Sequence, residues 1–295
     1  DGLIGEVHTV HVWTNRPTWP QGVPAPKGKH AIPAELNWEL WLGTAPSRNY
    51  NPAYLPAIWR GWVDFGTGSL GDMGCHFIDV PYRALKLGYP VAVETSVGSV
   101  YTGFFEEAIY PDSYPPSAKT HIQFPARENM PAVEMVWYDG GIRPKRPVEL
   151  LPDEEMGEYD GGIIFDGTKG KIMAGLFGRN PTLLPTRKMK ETDLPKSKFD
   201  FVEGGTEGHQ QQWVKACKQG FGAYTSSSFD KSGPLTETVL MGNLAVRSYN
   251  HFETDAKGNR KFNGRKQLLW DGENMRITNF EPANQFVKRT YRGGW

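Results

Sequence analysis

Two cysteines in 295 residues, Cys75 and Cys217, are too few for a disulfide framework, and neither sits in a CxxC or CxH cluster with metal-ligand spacing. Charge of one sign is also missing. The 33 Lys and Arg balance 33 Asp and Glu, so no net field recruits nucleic acid or an anionic membrane. No run approaches the ~18 apolar residues of a membrane span. No charged-then-apolar leader precedes Asp1, and no internal repeat is present. These absences predict a soluble chain of the cytoplasm or the bacterial periplasm, with no metal, no nucleic-acid partner and no membrane partner.

Aromatics, by contrast, are plentiful at 13% of the chain, and Trp13, Trp19, Trp38, Trp41, Trp59 and Trp62 crowd the first 62 positions. Flat rings pack well against the apolar faces of pyranosides, so such a wall beside an acid and a base suits a sugar pocket. The alternative is that the rings pin down long irregular loops. For Trp38 and Trp41, at a helical spacing in ELNWELWLG, that alternative is favoured.

The stretch GTGSLGDMGCHFID, Gly66 to Asp79, admits two readings. Gly66, Gly68 and Gly71 satisfy GxGxxG, with Glu94 near the ~20-residue distance of a ribose-binding acid. The context argues against it. WRGWVDF is no buried aliphatic strand, and Asp72 would place an anion where a helix N-terminus should receive pyrophosphate.

The second reading pairs Asp72 with His76, four apart on a helix expected from about Gly71 to Lys86 and stopped by Gly88 and Pro90. A carboxylate so placed can hold the imidazole in one tautomer and raise its pKa, which a proton shuttle needs. Asp79 lies on the neighbouring flank. The competing reading makes Asp72 a first-turn helix cap and His76 a satisfied half-buried ring. Cys75 and His76, adjacent on a helix, diverge by about 100° and do not form a thiol-imidazole pair.

Val7 to Val12 alternates as a strand, after which residues 16–65 form a long insertion with one helical piece near Ala34 to Leu42. Strands are expected at Ala92 to Tyr101, Lys119 to Phe124, Ala132 to Tyr138, Gly162 to Asp166 and Lys171 to Leu176, several joined by hairpin turns. Helices are expected at Thr206 to Lys218, with Trp213 and Ala216 on its apolar face, and at Leu235 to His251. A strand pair at Leu268 to Trp270 and Met275 to Thr278 and a short helix from Glu281 complete the pattern. This predicts an α+β fold, an open and mostly antiparallel sheet with helices on one face. The other face, apolar and without helices of its own, is expected to be a dimer or domain surface.

On these residues the chain resembles the Gfo/Idh/MocA oxidoreductases, the glucose-fructose oxidoreductase and inositol dehydrogenase family. The resemblance rests on WRGW before the glycine-rich stretch and LKLG after it, GLIGEV at the start, GHQQQWVKACKQG, PLTETVLMGNLAVRS and the closing LLWDGENMRITNFEPANQFVKRTYRGGW, and so spans the whole chain. It implies a C-terminal, dihydrodipicolinate reductase-like or glyceraldehyde-3-phosphate dehydrogenase-like domain that binds substrate and oligomerises as one unit. The family's Rossmann domain, with GxGxxG and the Glu-Lys-Pro lysine, is absent from this sequence. NAD or NADP would therefore be bound mainly by that missing domain, and none tightly here.

The family's DxGxH falls on Asp72, Gly74 and His76, which makes His76 the proton acceptor and Asp72 the group that orients it. The glycines would then serve close packing. Trp59, Arg60 and Trp62 would wall the sugar site, and His209 is a further pocket candidate whose plain alternative is an ordinary polar residue at a helix start. The implied activity is oxidation of a hydroxyl on a sugar or glycoside, with a homo-oligomer formed through the sheet face. Two alternatives stay open: an NAD-dependent glycosidase of the same family, and a carbohydrate-binding or dimerisation module without chemistry.

Overall fold

The computed structural model describes residues 2–196 and 202–295. Alternating valines form β1 (Val7–Thr14), with Val10 and Val12 fully buried on one face and His11 and Trp13 on the other. The insertion that follows is held by an aromatic core of its own. In it α1 (Trp38–Leu42) opens on Asn37, whose side chain accepts the Leu40 N–H. Trp38 stacks on Trp41 at 4.9 Å and 9°, and Tyr54 and Trp62 complete the cluster. For Trp38 and Trp41 the rings do pin the loop.

The helix carrying Asp72 and His76 is α2 (Gly68–Ala84). It starts one turn before Gly71 because Gly68, at φ +61°, lets the chain reverse into it. Asp72 is consequently past the first turn, so it does not cap the helix. Phe77 and Ile78, both fully buried, fix the inner face of α2, each contributing about 1.5–3 kcal/mol.

Next come β2 (Ala92–Val97), a hairpin of β3 (Val100–Gly103) and β4 (Glu106–Ala108), then β5 (Ala118–Phe124), β6 (Val133–Tyr138), β7 (Gly161–Gly167), β8 (Gly170–Ala174) and β9 (Thr182–Leu184). The short α3 (Lys188–Glu191) precedes α4 (Gly205–Gln219) and the long α5 (Phe229–Ser248), followed by β10 (Phe252–Thr254), β11 (Arg260–Phe262), β12 (Leu268–Asp271) and β13 (Arg276–Ile277). Nine of these strands form one sheet in the order β13-β12-β2-β5-β6-β1-β7-β8-β9, antiparallel throughout except for β1 against β6. The α+β architecture is as the sequence pattern indicates.

Register explains which face the helices cover. Val93, Ile122, Met135, Val10 and Phe165 lie opposite one another across β2, β5, β6, β1 and β7, giving one buried row under α2 and α5. Gly74 lets those helices touch, since a Cβ there would lie 2.9 Å from the Val239 side chain.

The second face differs from expectation. It is not an uncovered apolar surface. At the β7-β8-β9 end Leu150 and Met156 fold back over Trp13, Ile164 and Leu184. Towards β2 the face carries Glu94, Lys119, His121 and Glu134, with His121 Nδ1 2.9 Å from Glu134. The pleat puts these polar residues outward because their alternate neighbours fill the helix side. A second correction concerns Trp213, which is 65% exposed while Ala216 alone is buried on α4.

Candidate active site

The glycine-rich turn is a packing device. Residues before it form a short 3₁₀ turn, Ile58–Gly61, not a strand. A Cβ on Gly66 would lie 2.4 Å from the Arg60 carbonyl oxygen, and one on Gly68 2.7 Å from the Tyr114 ring. The space a pyrophosphate needs is occupied by protein, so these residues do not fit a dinucleotide.

The turn seats Arg60 over α2. Arg60 Nε donates to Asp72 Oδ1 at 3.0 Å and its Nη1 donates to the Ala57 carbonyl at 3.0 Å, both side chains being partly screened from solvent. Its guanidinium lies 4.6 Å above the Trp59 ring and 5.9 Å from that of Trp19. Asp72 therefore spends its charge on Arg60, and among the described residues no hydrogen bond joins it to His76. A permanent cation held within hydrogen-bond reach outcompetes an imidazole one turn away for the carboxylate. Cys75 is exposed yet burial of its thiol, with Asp72 adding to the effect, pushes its pKa up, which disfavours a thiolate.

His76 is half-buried on the open flank of α2, its ring 5.2 Å from that of Phe177 at 84°. Phe177 is 53% exposed and sits at φ +58°, a costly conformation for a bulky residue. Glu158 holds it there: its carboxylate accepts from the Leu176 N–H at 3.2 Å and from the Asn180 amide at 2.9 Å. Arg179 lies 5.1 Å from the Phe177 ring. Sequence reasoning passed over Phe177 because LFGRN announces a turn, through Gly178 and Asn180, but nothing in it points to α2.

Further along the same helix, Arg83 pairs with Asp79 at 2.6 Å and donates to the Ser226 carbonyl at 3.0 Å. Ser226 Oγ is 3.4 Å from His209 Nδ1 and donates to Gln212 at 2.8 Å. His209 is exposed on α4 and stands apart from His76: Ser226 links it to the Arg83–Asp79 pair of α2. Of the residues singled out in the sequence, the fold thus brings Asp72, Arg60 and Trp59 together, with His76 one turn on. Trp62 is placed elsewhere. It is 4% exposed, its indole donates to the Ala53 carbonyl at 2.8 Å, and it offers no face to a ligand.

The arrangement is an imidazole with an apolar ring beside it and, one helical turn away, a cation fixed by a carboxylate over an indole. Such a flank can accept a proton and orient a hydroxylated molecule. Among the described residues no group of three or more metal-ligating side chains occurs, and no helix is long and apolar enough to cross a membrane.

Comparison with known proteins finds a sequence-profile match over the segment that contains this helix. Residues 13–99 match the sequence profile described as the oxidoreductase family, C-terminal alpha/beta domain, of the Gfo/Idh/MocA group. A comparison with curated proteins found no match. Among solved structures, levoglucosan dehydrogenase in complex with NADH and L-sorbose is similar at 15% identity and a TM-score of 0.37, covering 83% of this chain and 58% of that one. A super-repressor mutant of Gal80p from Saccharomyces cerevisiae is similar at 12% and 0.36, covering 84% and 56%. Gal80p from Kluyveromyces lactis is similar at 11% and 0.34, covering 83% and 51%. The chain therefore spans little more than half the length of the structures it matches.

Proposed function

We propose that this chain, whose residues 13–99 match the profile of the Gfo/Idh/MocA C-terminal alpha/beta domain, is the substrate-binding half of an NAD(P)-dependent enzyme oxidising a hydroxyl of a sugar or glycoside. The observation that carries the reading is His76, presented on the open flank of α2 within the matched segment. Nicotinamide, held by a separate nucleotide-binding domain, would supply the hydride acceptor.

The chain's own residues then do the following. His76 takes the proton from the substrate hydroxyl as the carbon it bears becomes a carbonyl. Among the described residues Arg60 spends donors only on Asp72 and Ala57, and its others would bind hydroxyl or carboxylate oxygens of the substrate. Trp59 and Phe177 offer ring faces to the apolar side of a pyranoside. Asp72 acts first through Arg60, fixing its direction, and reaches His76 only as a charge one turn away.

The same reading makes the chain a homo-oligomer through the polar part of the sheet face, around Glu94, Lys119, His121 and Glu134, that Leu150 and Met156 leave open. An obligate interface there would bury more than roughly 2,000 Å² in total. Sedimentation of the purified protein at micromolar concentration checks this, and a monomer refutes it.

The test of function is His76→Ala in the full-length protein, assayed with NAD and NADP against hexoses, inositol and methyl glycosides. Turnover should fall by about 10²- to 10⁴-fold, with substrate affinity changing far less. Unaltered specific activity of the folded variant would sink the assignment. Release of free sugar without net NADH would instead identify an NAD-dependent glycosidase.

A further inference from the structure

We propose that the cavity beneath the C-terminal tail is a binding site for a small organic carboxylate with an apolar body, recognised by Arg247 and Tyr114. The cavity has a volume of about 350 Å³ and adjoins a second of about 240 Å³, with Val63, Tyr114, Arg247 and Phe286 lining both. Together they reach the ~300–1,000 Å³ range of small-molecule sites. Asp72 and His76 line neither, so the proposal stands apart from the oxidoreductase reading.

Arg247 is the cation of this space. It is half-buried at the end of α5, its guanidinium 4.3 Å from the centre of the Phe286 ring, and among the described residues it makes no hydrogen bond and no ion pair. Its neighbours are committed. Arg289 donates to the Val63 and Asp64 carbonyls, and Arg265 pairs with Glu107 and donates to Asn250. A planar fork of five donors held in place by a ring and left without an acceptor matches a carboxylate.

Tyr114 supplies an independent observation. It is 4% exposed, its ring root is seated on Gly68, and its hydroxyl has no hydrogen-bond partner among the described residues. Unlike the enclosed unpaired atoms Trp13 Nε1 and Ser69 Oγ, that hydroxyl keeps accessible surface, so it can donate to a ligand in the cavity that Tyr114 lines. Burial pushes its phenol up to about 12, so it remains a donor at neutral pH. The walls between these two donors are Val97, Val100, Pro116 and Val246, which suit a hydrocarbon body better than a polyol.

Calorimetric titration and thermal shift of the whole chain with cyclohexanecarboxylate, against cyclohexanemethanol as the uncharged control, test the proposal. The acid should bind saturably, one per chain, and raise Tm, while the alcohol binds about tenfold more weakly or not at all. Arg247→Met keeps packing against Phe286 and removes the charge, and should cost about tenfold or more in affinity. Tyr114→Phe removes only a hydroxyl and should cost a smaller but measurable factor. His76→Ala should leave binding unchanged. Equal binding of acid and alcohol, no saturation by about 10 mM, undiminished affinity of Arg247→Met, or loss of binding in His76→Ala overturns the proposal. If Arg247→Met does not fold, Tyr114→Phe decides, and unchanged affinity there refutes it.

Discussion

Asp139 should make the stability of this fold fall as pH rises through neutrality. The residue closes the end of the β5-β6 pair: its N–H donates to the Ala118 carbonyl, and its carboxylate accepts from the Ala118 N–H at 2.6 Å and the Trp137 indole at 2.9 Å. Both bonds favour the anion. Burial outweighs them, since Asp139 is 3% exposed and no cation pairs with it among the described residues, and its carboxyl is pushed up from 3.8 to about 7.

Between those two values the unfolded chain has released the proton and the folded chain has kept it. The protonated folded state is thus favoured at low pH, and the advantage is lost as pH rises through about 7. From about pH 5 to pH 8 the difference amounts to about two pKa units, or roughly 2.5 kcal/mol. Asp139→Asn cannot ionise and is the right reference. Denaturant melts of both proteins across that range should show the variant gaining about 2.5 kcal/mol on the wild type, or on the order of 5 °C in relative Tm. A difference that does not change with pH would refute the reasoning, because it would mean that the two hydrogen bonds keep the carboxylate ionised despite burial.

Asp72→Asn in the full-length protein should release Arg60 and raise KM at least as much as it lowers kcat, and Arg60→Gln should do the same, with the double variant far from additive. A fall in kcat alone, with a shifted pH profile, would show instead that Asp72 works on His76. Gly68→Val should destabilise the chain by about 2 kcal/mol or more, because it combines an unfavourable φ with a contact on Tyr114. Calorimetry with NADH should find no binding to the chain alone that this variant abolishes. Micromolar binding lost on substitution would restore the phosphate-turn reading.

Period two marks β1, β5 and β6, and helical spacing with the Gly88 and Pro90 stop marks most of α2, while the long helix is expected only from Leu235 although α5 begins at Phe229; these signals are local properties of the chain. The same local logic identified the flank bearing Asp72 and His76, and it rejected the phosphate turn for want of a strand, as the turn at Ile58–Gly61 confirms. The pattern runs a single strand from Ala92 to Tyr101, which the fold breaks after Val97 and resumes as β3 at Val100 in a separate sheet, and β4, β10 and β11 have too few residues to show a period. Which partner Asp72 takes was also out of reach: spacing put His76 four residues away, yet the fold brings Arg60 to 3.0 Å from a separate turn. Phe177 reaches His76 from a loop about a hundred positions later, held by Glu158, and Arg247 is left without an acceptor by the way the tail crosses α5. Periodicity records which face of an element is buried, while the contacts between elements depend on register and chain return. Those distances were decided by tertiary packing alone.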